Sequence, residues 1–593
     1  MFLLIIRLNM NKLPLIQIKK PPSLLPSRHS SSESEDNKIT QLNNFDIAID
    51  FYTKGIDNNK NNTSFLIKRA TCYLAKGYYT LALSDSLKTI EIDPEFDKGY
   101  YIAALAYLEM YDIEKAEELS MGKNQRLSVL IDKTKKDLKN KCQKYKSYPK
   151  YINFLRELYK YDSFFPKLEI KFFSDSNRGV VAKSFIKKME IIMIIPKPCL
   201  ISLEVALNTE IGKEISKFMY KELSSPKHCL FSSFLLSEEK SEKWKFYFDF
   251  LPVDFSYFPI FYTNKELNCL TGSPFLTQII EKKIEIQSDY EKICSFIPSF
   301  KQYSFLKFCQ ARMAVGSRVF GISMNNERTD VLAPFADLIN HKSPSQTQWY
   351  YDNSLDAFVI QALEDIPEGN EIYDSYGKKT NSQLLLHYGF CLEDNDRNEY
   401  YLTLNFNKNV PLYEQKKIFF SSPNDCLRTF KLYTNMYESE LDELLSFLRF
   451  LIFDGDFSVL YKKIKSNKVN INTITPVSFY YIEPTSKDLE IKVLKHLNWI
   501  LREALRRYPT SLEEDKLLLK TKKNIPFNMK NCLYIIKSEK EILIYYIYFC
   551  EYCLSLFKLS ELEIITKISN DFKFTECQFS LYIQEVILKL IHM

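Results

Sequence analysis

The stretch from Arg318 to Phe390 constrains the fold most, because its apolar runs are short and turns interrupt them. Val331–Leu332 and Phe358–Ile360 have the composition of strands, since apolar, β-branched and aromatic residues dominate them. Ile366–Asn370 combines Pro and Gly and is typical of a turn, which leads into a third strand at Glu371–Tyr373. The stretch therefore predicts an irregular, β-rich domain.

Two polar motifs lie within this domain. Asn340-His341 ends an apolar stretch, and Gly369-Asn370-Glu371-Ile372 leads to Tyr376 after the third strand. They resemble the Asn-His motif and the Gly-x-Glu-(Ile/Val)-x-x-x-Tyr signature of the SET-domain methyltransferases. Lys379–Ser382 and Tyr388–Phe390 are similar to one subgroup, which contains the Rubisco large-subunit lysine methyltransferases and the related actin-histidine methyltransferases. The resemblance extends from about Leu168 to the C-terminus.

Composition narrows the class of protein. At 593 residues, with 46% hydrophobic and 26% charged residues, the chain is expected to be a soluble protein of several domains. We expect no membrane segment, because no apolar run is long enough for one. We expect no nucleic-acid partner, because the net charge is only +6 and acidic and basic residues are interleaved.

The 13 cysteines form no disulfide framework. Cys550 and Cys553 form the only C-x-x-C pair, and it lies in an apolar helical stretch without a second pair. Buried free thiols in a reducing compartment are therefore expected, with no metal site. The cytoplasm or the nucleus is the predicted location. The basic N-terminus also allows organelle targeting.

The N-terminal part predicts a leader and a helical repeat. Residues 1–38 have the composition of a disordered leader. Residues 39–125 contain alanines that recur every 34 residues, namely Ala48, Ala82 and Ala116 as well as Ala70 and Ala104. This resembles tetratricopeptide repeats, which commonly bind peptides or proteins. The alternative is that the repeats only pack on the catalytic domain. Residues 126–160 are predicted as a helical linker or cap.

The resemblance implies an α+β multidomain chain. Residues 161–395 would form the SET domain, with a helical insertion at about 203–310. Residues 396–593 would form a C-terminal helical substrate-binding domain, in which Leu427–Asp454 shows helical spacing. Tyr508-x-Thr510-x-x-Glu513-Glu514-Asp515 resembles a pattern typical of that domain in the same subgroup.

The resemblance also assigns the site. Tyr376 matches the catalytic tyrosine, and S-adenosylmethionine is the implied cofactor. Three positions match substrate-binding residues: Phe320, Asp337 and Tyr388. Seven positions match cofactor-binding residues: Glu190, Ile191, Ile192, Arg318, Asn340, His341 and Phe390. For Arg318 a structural ion pair is the alternative.

Two positions favour lysine over histidine as the target. Phe320 and Ala336 resemble the aromatic and small residues of the lysine-methylating members, whereas the histidine-methylating relative has Asn and Trp there. A flexible amine suits an apolar, aromatic-walled channel, and imidazole needs a hydrogen-bond partner for its second nitrogen. We predict methyl transfer to an accessible lysine of a non-histone protein. Histidine methylation and an inactive SET/repeat adaptor are the alternatives.

Overall fold

The computed structural model describes residues 45–120, 125–173, 177–419, 426–433, 440–458, 482–570 and 581–592. The predicted leader lies outside these residues. Contacts divide the chain into a first unit, Met1–Val253 with Asp289–Gly377, and a second unit, Asp254–Ser288 with Lys378–Met593. Within the described ranges, every helix is too short or too polar to cross a membrane.

The described part of the first unit opens with these helices: α1 Phe45–Asn58, α2 Thr63–Lys76, α3 Tyr79–Ile92, α4 Asp97–Glu109, α5 Ile113–Ser120, α6 Gln125–Lys144 and α7 Tyr148–Lys160. The repeating alanines are all at most 1% exposed. Small residues at these positions let neighbouring helices approach closely, as the paired helices of a repeat require. The helical prediction for residues 126–160 agrees with α6 and α7. The assignment to tetratricopeptide repeats stays a prediction.

The helical module packs directly on the sheet-bearing part of the first unit. Gly77 ends α2 with a φ of +88°, and a Cβ there would lie 2.2 Å from Pro166 Cβ. The Tyr78 ring stacks on Phe164 with centroids 4.9 Å apart, and Tyr79 packs edge-on against Tyr159. The helices thus pack on the rest of the first unit, and the alternative that they only pack there stays a prediction. Partner binding by the repeats stays a prediction.

Ten strands complete the first unit: β1 Leu168–Phe172, β2 Arg178–Ala182, β3 Ile191–Pro196, β4 Ile201–Ser202, β5 Val319–Met324, β6 Glu327–Leu332, β7 Asn340–His341, β8 Thr347–Asp352, β9 Ala357–Ala362 and β10 Tyr373–Asp374. They form small sheets, β1-β2, β3-β9-β8, β4-β6-β5 and β10-β7. All pairs are antiparallel except β7 and β10, which are parallel. The predicted β-rich domain is confirmed.

The stretch between β4 and β5 is helical, as expected. Its helices are α8 Leu203–Leu207, α9 Glu210–Ser216, α10 Met219–Glu222, α11 Pro226–Ser237, α12 Lys245–Phe248, α13 Asn264–Asn268, α14 Pro274–Phe296 and α15 Phe305–Arg318. Residues 254–288 of this stretch group with the second unit. The domain boundaries drawn from the sequence stay predictions.

The later part of the second unit contains one antiparallel strand pair, β11 Glu399–Asn405 with β12 Leu427–Tyr433. Its described helices are α16 Asn381–Tyr388, α17 Tyr413–Lys416, α18 Leu441–Ile452, α19 Lys487–Arg506, α20 Leu512–Thr521, α21 Phe527–Leu556, α22 Glu561–Asn570 and α23 Lys589–His592, and a π-helical turn, Ile583–Leu588, precedes the last one. The unit is mainly helical, as the resemblance implies.

The helical prediction for Leu427–Asp454 is right for α18 and wrong for Leu427–Tyr433. In the strand β12, Phe430 and Leu432 are buried, and the residues on either side of them are not. This alternation has the two-residue period of a strand with one covered face. This short alternating pattern of β12 was overlooked because the helical pattern of the neighbouring α18 is longer and stronger.

A buried polar network holds α21 to the turn before α20. Tyr508 donates a hydrogen bond to Glu539 Oε2 at 2.8 Å. Lys540 is fully buried, donates to Thr510 Oγ1 at 2.9 Å, and forms an ion pair with Asp515, which is 1% exposed. Tyr508 and Asp515, the first and last residues of the motif, are thus buried in the second unit, whereas Thr510, Glu513 and Glu514 are exposed.

Candidate active site

The two sequence motifs of the first unit meet at the shortest sheet. Asn340 pairs with Tyr373, and His341 pairs with Asp374, in the parallel strands β7 and β10. The backbone N–H of Lys342 extends the pairing by donating to the Asp374 carbonyl at 2.8 Å. Burial raises the pKa of the Asp374 carboxyl. Because strands of two residues have few ladder bonds, side chains must supply much of the order here.

His341 and Tyr376 order each other. The backbone N–H of Tyr376 donates to His341 Nδ1 at 3.0 Å, and the two rings stack with centroids 5.0 Å apart. The Tyr376 hydroxyl donates to the Ile339 carbonyl oxygen at 2.9 Å. A nitrogen that accepts a hydrogen bond carries no proton, so His341 acts here as a neutral acceptor. Its role is to fix the segment that carries Tyr376.

Asn340 is held by two acceptors. Its Nδ2 donates to the Arg178 carbonyl oxygen at 3.1 Å and to Glu371 Oε1 at 2.7 Å. Tyr373 donates to the other carboxylate oxygen, Glu371 Oε2, at 2.8 Å. Burial, followed by this bond to Glu371, raises the pKa of Tyr373 to about 12. A Cβ on Gly179 would lie 2.2 Å from Glu371 Oε1, so the approach requires glycine.

A strained residue precedes the first motif. Phe335 is buried and has φ +77° and ψ −45°, which non-glycine residues rarely adopt. Its ring stacks on Phe165 with centroids 4.3 Å apart, and this packing holds the turn. Such backbone strain costs about 1–3 kcal/mol and clusters at ligand sites. The turn directs the next residues, Ala336 and Asp337, into the interior.

Asp337 lies in a buried polar cluster. Its Oδ2 accepts from Arg318 Nη1 at 3.0 Å and from the Tyr247 hydroxyl at 2.8 Å. The Asp337 side chain is 1% exposed, and its Oδ1 is buried without a hydrogen-bond partner. Burial, together with the Asp337 charge, raises the pKa of Tyr247. The ion-pair alternative for Arg318 is therefore observed, and its contact with a cofactor stays a prediction.

Phe320 belongs to an aromatic cluster. Its ring lies edge-on to Trp349 at 5.4 Å and to Phe358 at 5.1 Å between centroids. Ala336 is 1% exposed. Tyr351 is mostly buried and donates to Asp356. Phe320 thus stands in an aromatic wall, as a channel for an amine requires.

The other assigned residues are Glu190, Ile191, Ile192, Tyr388 and Phe390. Glu190 precedes β3, where its carboxylate accepts from the Lys187 N–H at 3.0 Å and pairs with Lys167 at 2.5 Å. Ile191 and Ile192 begin β3, and Ile192 is buried. Tyr388 ends α16, and Phe390 follows two residues later, both in the second unit. The cofactor and substrate roles of these residues stay predictions.

Sequence reasoning missed four residues that the structure brings to the site. Arg178 and Gly179 lie against Asn340, and Glu371 bonds to it. The sequence shows the Arg178-Gly179 pair and the Glu371 of the second motif, but it does not show that these residues contact Asn340. Tyr247 carries no motif, because it reaches Asp337 from a helix ninety positions earlier.

Family models match two parts of the chain. The model described as SET domain matches residues 177–377. The model described as Rubisco LSMT substrate-binding matches residues 407–543. The first match contains the whole cluster around Asn340 and Tyr376, and the second contains the motif from Tyr508 to Asp515.

Curated relatives agree with these matches. A ribosomal lysine N-methyltransferase of Schizosaccharomyces pombe is 28% identical over 34% of this chain and 37% of its own length. A chloroplastic fructose-bisphosphate aldolase-lysine N-methyltransferase of Arabidopsis thaliana is 26% identical over 62% of this chain and 75% of its own. An actin-histidine N-methyltransferase of Danio rerio is also 26% identical, over 63% of this chain and 64% of its own. Lysine- and histidine-directed relatives are thus equally similar.

Solved structures show the same fold. The SET domain of LSMT bound to lysine and AdoHcy has a TM-score of 0.57 at 22% identity, covering 75% of this chain and 99% of that one. Rubisco LSMT bound to AdoMet has a TM-score of 0.54 at 22% identity, covering 68% of this chain and 91% of that one.

Proposed function

We propose that this chain, which carries the SET domain of S-adenosylmethionine-dependent methyltransferases followed by a Rubisco LSMT substrate-binding domain, transfers a methyl group to a lysine of a non-histone protein. The observation that carries the proposal is the placement of the Tyr376 hydroxyl at the Ile339 carbonyl, directly before the strand that bears Asn340 and His341.

The residues present fit the cofactor. Asn340 donates both amide hydrogens, to the Arg178 carbonyl oxygen and to the Glu371 carboxylate. Its carboxamide oxygen is therefore the atom that can accept from a donor such as an ammonium group. The close packing at Gly179 leaves that segment's backbone, without a side chain, beside Asn340. When bound, S-adenosylmethionine supplies a methyl group on a cationic sulfonium.

The chain's own groups then align and shield the target. The Tyr376 hydroxyl and the Ile339 carbonyl lie 2.9 Å apart and can hold an amine nitrogen by hydrogen bonds. A cation beside a lysine ammonium favours loss of the ammonium proton, so no separate base is required. Exclusion of water by the surrounding aromatic side chains strengthens these contacts.

The choice of lysine rests on the pocket wall. Phe320 packs with Trp349 and Phe358, and Ala336, beside Asp337, is a small buried residue. An aromatic wall attracts a methylated ammonium through cation–π interaction. An imidazole would need a polar partner at the Phe320 position for its second nitrogen. Histidine methylation remains the second candidate, because the actin-histidine relative is similar over the same span.

The cysteines in the described ranges are free thiols, and most are buried. Free thiols fit a reducing compartment, so we place the enzyme in the cytoplasm or the nucleus. Binding of a protein partner by the N-terminal helices is part of the same proposal. The exposed side chains Ile47 and Leu81 lie on these helices and would be available to such a partner.

Transfer of labelled methyl from S-adenosylmethionine into a whole-cell extract tests the proposal. We expect a labelled protein band that disappears with Tyr376→Phe and persists with Tyr220→Phe, a control at an exposed tyrosine of the same unit. Hydrolysis of the band should release methyllysine. Release of methylhistidine would establish the second candidate, and a protein that neither labels nor binds the cofactor would favour the adaptor alternative.

A further inference from the structure

We propose that Glu371 is a positioning residue, which fixes the orientation of the Asn340 carboxamide so that its oxygen faces the amino-acid end of S-adenosylmethionine. The inference rests on the proposed function. It adds a residue whose carboxylate is expected to act through Asn340 without touching the cofactor itself.

The backbone of Glu371 is anchored before its side chain acts. Glu371 forms a β-bridge with Val181, and the next N–H, of Ile372, donates to the Val180 carbonyl at 2.8 Å. The segment before β10 is thereby attached to β2. A side chain that leaves an anchored backbone has fewer conformations to lose when it orders a neighbour.

Both oxygens of the Glu371 carboxylate are engaged. Oε1 accepts from Asn340 Nδ2 at 2.7 Å, and Oε2 accepts from the Tyr373 hydroxyl at 2.8 Å. Gly179 packs so closely that a Cβ there would meet Oε1 at 2.2 Å and Asn340 Nδ2 at 3.0 Å. The carboxylate is therefore held by a donor on one side and by packing on the other.

This arrangement permits one orientation of the Asn340 amide. Its two hydrogens point at the Arg178 carbonyl oxygen and at Glu371 Oε1, which are both acceptors without a hydrogen to donate. A flipped amide would place the Asn340 oxygen against two other oxygens and would lose both hydrogen bonds. The Asn340 oxygen is consequently the group presented to a ligand, and it selects a donor such as the cofactor's ammonium.

The Glu371 charge acts in the same direction. A carboxylate beside the presented Asn340 oxygen would favour binding of a cationic group there. Glu371→Gln removes this charge, and its own amide can rotate to offer Asn340 either a donor or an acceptor. The variant therefore releases the orientation of Asn340 while keeping the volume of the side chain.

Calorimetry with two compounds related to the cofactor, measured on the full chain, tests whether Glu371 positions Asn340. S-adenosylhomocysteine contains the amino-acid end, whereas 5′-methylthioadenosine lacks it. We expect Glu371→Gln to weaken S-adenosylhomocysteine about tenfold, with 5′-methylthioadenosine changed less than about twofold, as loss of a charge-assisted hydrogen bond implies. Glu368→Gln, at the exposed acid of the preceding turn, should change neither affinity.

Three results would overturn the inference. Equal weakening of both compounds would indicate a merely structural role, and unchanged binding of S-adenosylhomocysteine would show that Glu371 does not orient Asn340. If Glu371→Gln does not fold, Tyr373→Phe replaces it, and an unchanged ratio of the two affinities in that variant contradicts the role. A wild-type chain that binds neither compound refutes the proposed function, and this inference with it.

Discussion

The first and second units each carry a distinctive sequence motif, and the motif residues differ in how deeply they are buried. In the first unit, Asn340 and Tyr376 are half-buried; Asn340 lies on the two-residue strand β7, and Tyr376 follows its partner strand β10 by two residues. In the second unit, Tyr508 and Asp515 are buried, and Asp515 pairs with Lys540, which has no exposed side-chain surface. Both motifs are recognisable in the sequence, but these residues differ in burial, and only those of the first motif are assigned to the proposed site.

The difference lies in how the polar groups are satisfied. The Tyr508, Thr510 and Asp515 side chains all have hydrogen-bond or ion-pair partners inside the second unit. In the first unit, the Oδ1 of Asp337 is buried without a hydrogen-bond partner, and Phe335 stores backbone strain beside it. Fully satisfied networks specify a fold, whereas unsatisfied groups and strain are typical of a site.

Removal of Lys540 should give the largest effect on stability. Lys540→Met leaves the buried Asp515 carboxylate without its cation, which costs about 3–5 kcal/mol of unfolding free energy. Denaturant unfolding measures the loss. Lys516→Met, at an exposed pair with Glu541, is the control and should cost at most about 1 kcal/mol. The double variant Lys540→Met/Asp515→Leu should recover part of the stability, and a failure to recover any would contradict the ion-pair account.

Glu539 should give the same network a pH dependence. Burial raises the pKa of Glu539 from 4.5 to about 7, despite hydrogen bonds from Ser273 and Tyr508 and the nearby Lys540 charge. The folded state thus holds a proton that the unfolded state releases, so this contribution to stability is complete below pH 4.5 and is lost as the pH rises to about 7. Glu539→Gln should flatten the melting temperature across this range, and an unchanged slope would exclude Glu539 as the cause.

Glu190→Gln should have the smallest effect on stability, and it tests whether the Glu190 side chain of the first unit contacts the cofactor. The Glu190 carboxylate pairs with Lys167 and is about 29% exposed, so its loss costs at most about 1 kcal/mol. We expect the affinity for S-adenosylhomocysteine to stay unchanged, because the Glu190 carboxylate is already engaged by Lys167 and by the Lys187 N–H. A clear loss of affinity would assign the cofactor contact to the Glu190 side chain.

The sequence predicted the order of elements well, because local patterns determine them. The turn at Gly369, the strand β9 and the helix start at Ser511 all follow from residues a few positions apart. The strand pair β11-β12 was missed, since its short alternating pattern lies beside the strongly helical α18.

The site was predicted less completely than the fold, because its contacts join distant positions. Asn340, His341 and Tyr376 were found through their motifs, and the structure brings them together. Tyr247 and Arg178 were missed, because each reaches the site through a partner far away in the chain. Pairing of that kind leaves no trace in the local sequence, and it appears only once the chain is folded.

A pair of matched substitutions, Tyr376→Phe and Tyr508→Phe, tests the central claim most directly. Methyl transfer and thermal unfolding are measured on both variants, with transfer assayed well below either melting temperature. We predict that Tyr376→Phe lowers transfer at least about a hundredfold with an unchanged melting temperature, an effect of about 2.7 kcal/mol on the barrier. Tyr508→Phe should lower the unfolding free energy by about 1.5–3 kcal/mol and retain transfer. Loss of transfer in Tyr508→Phe with Tyr376→Phe still active would contradict the division between a site and a structural network.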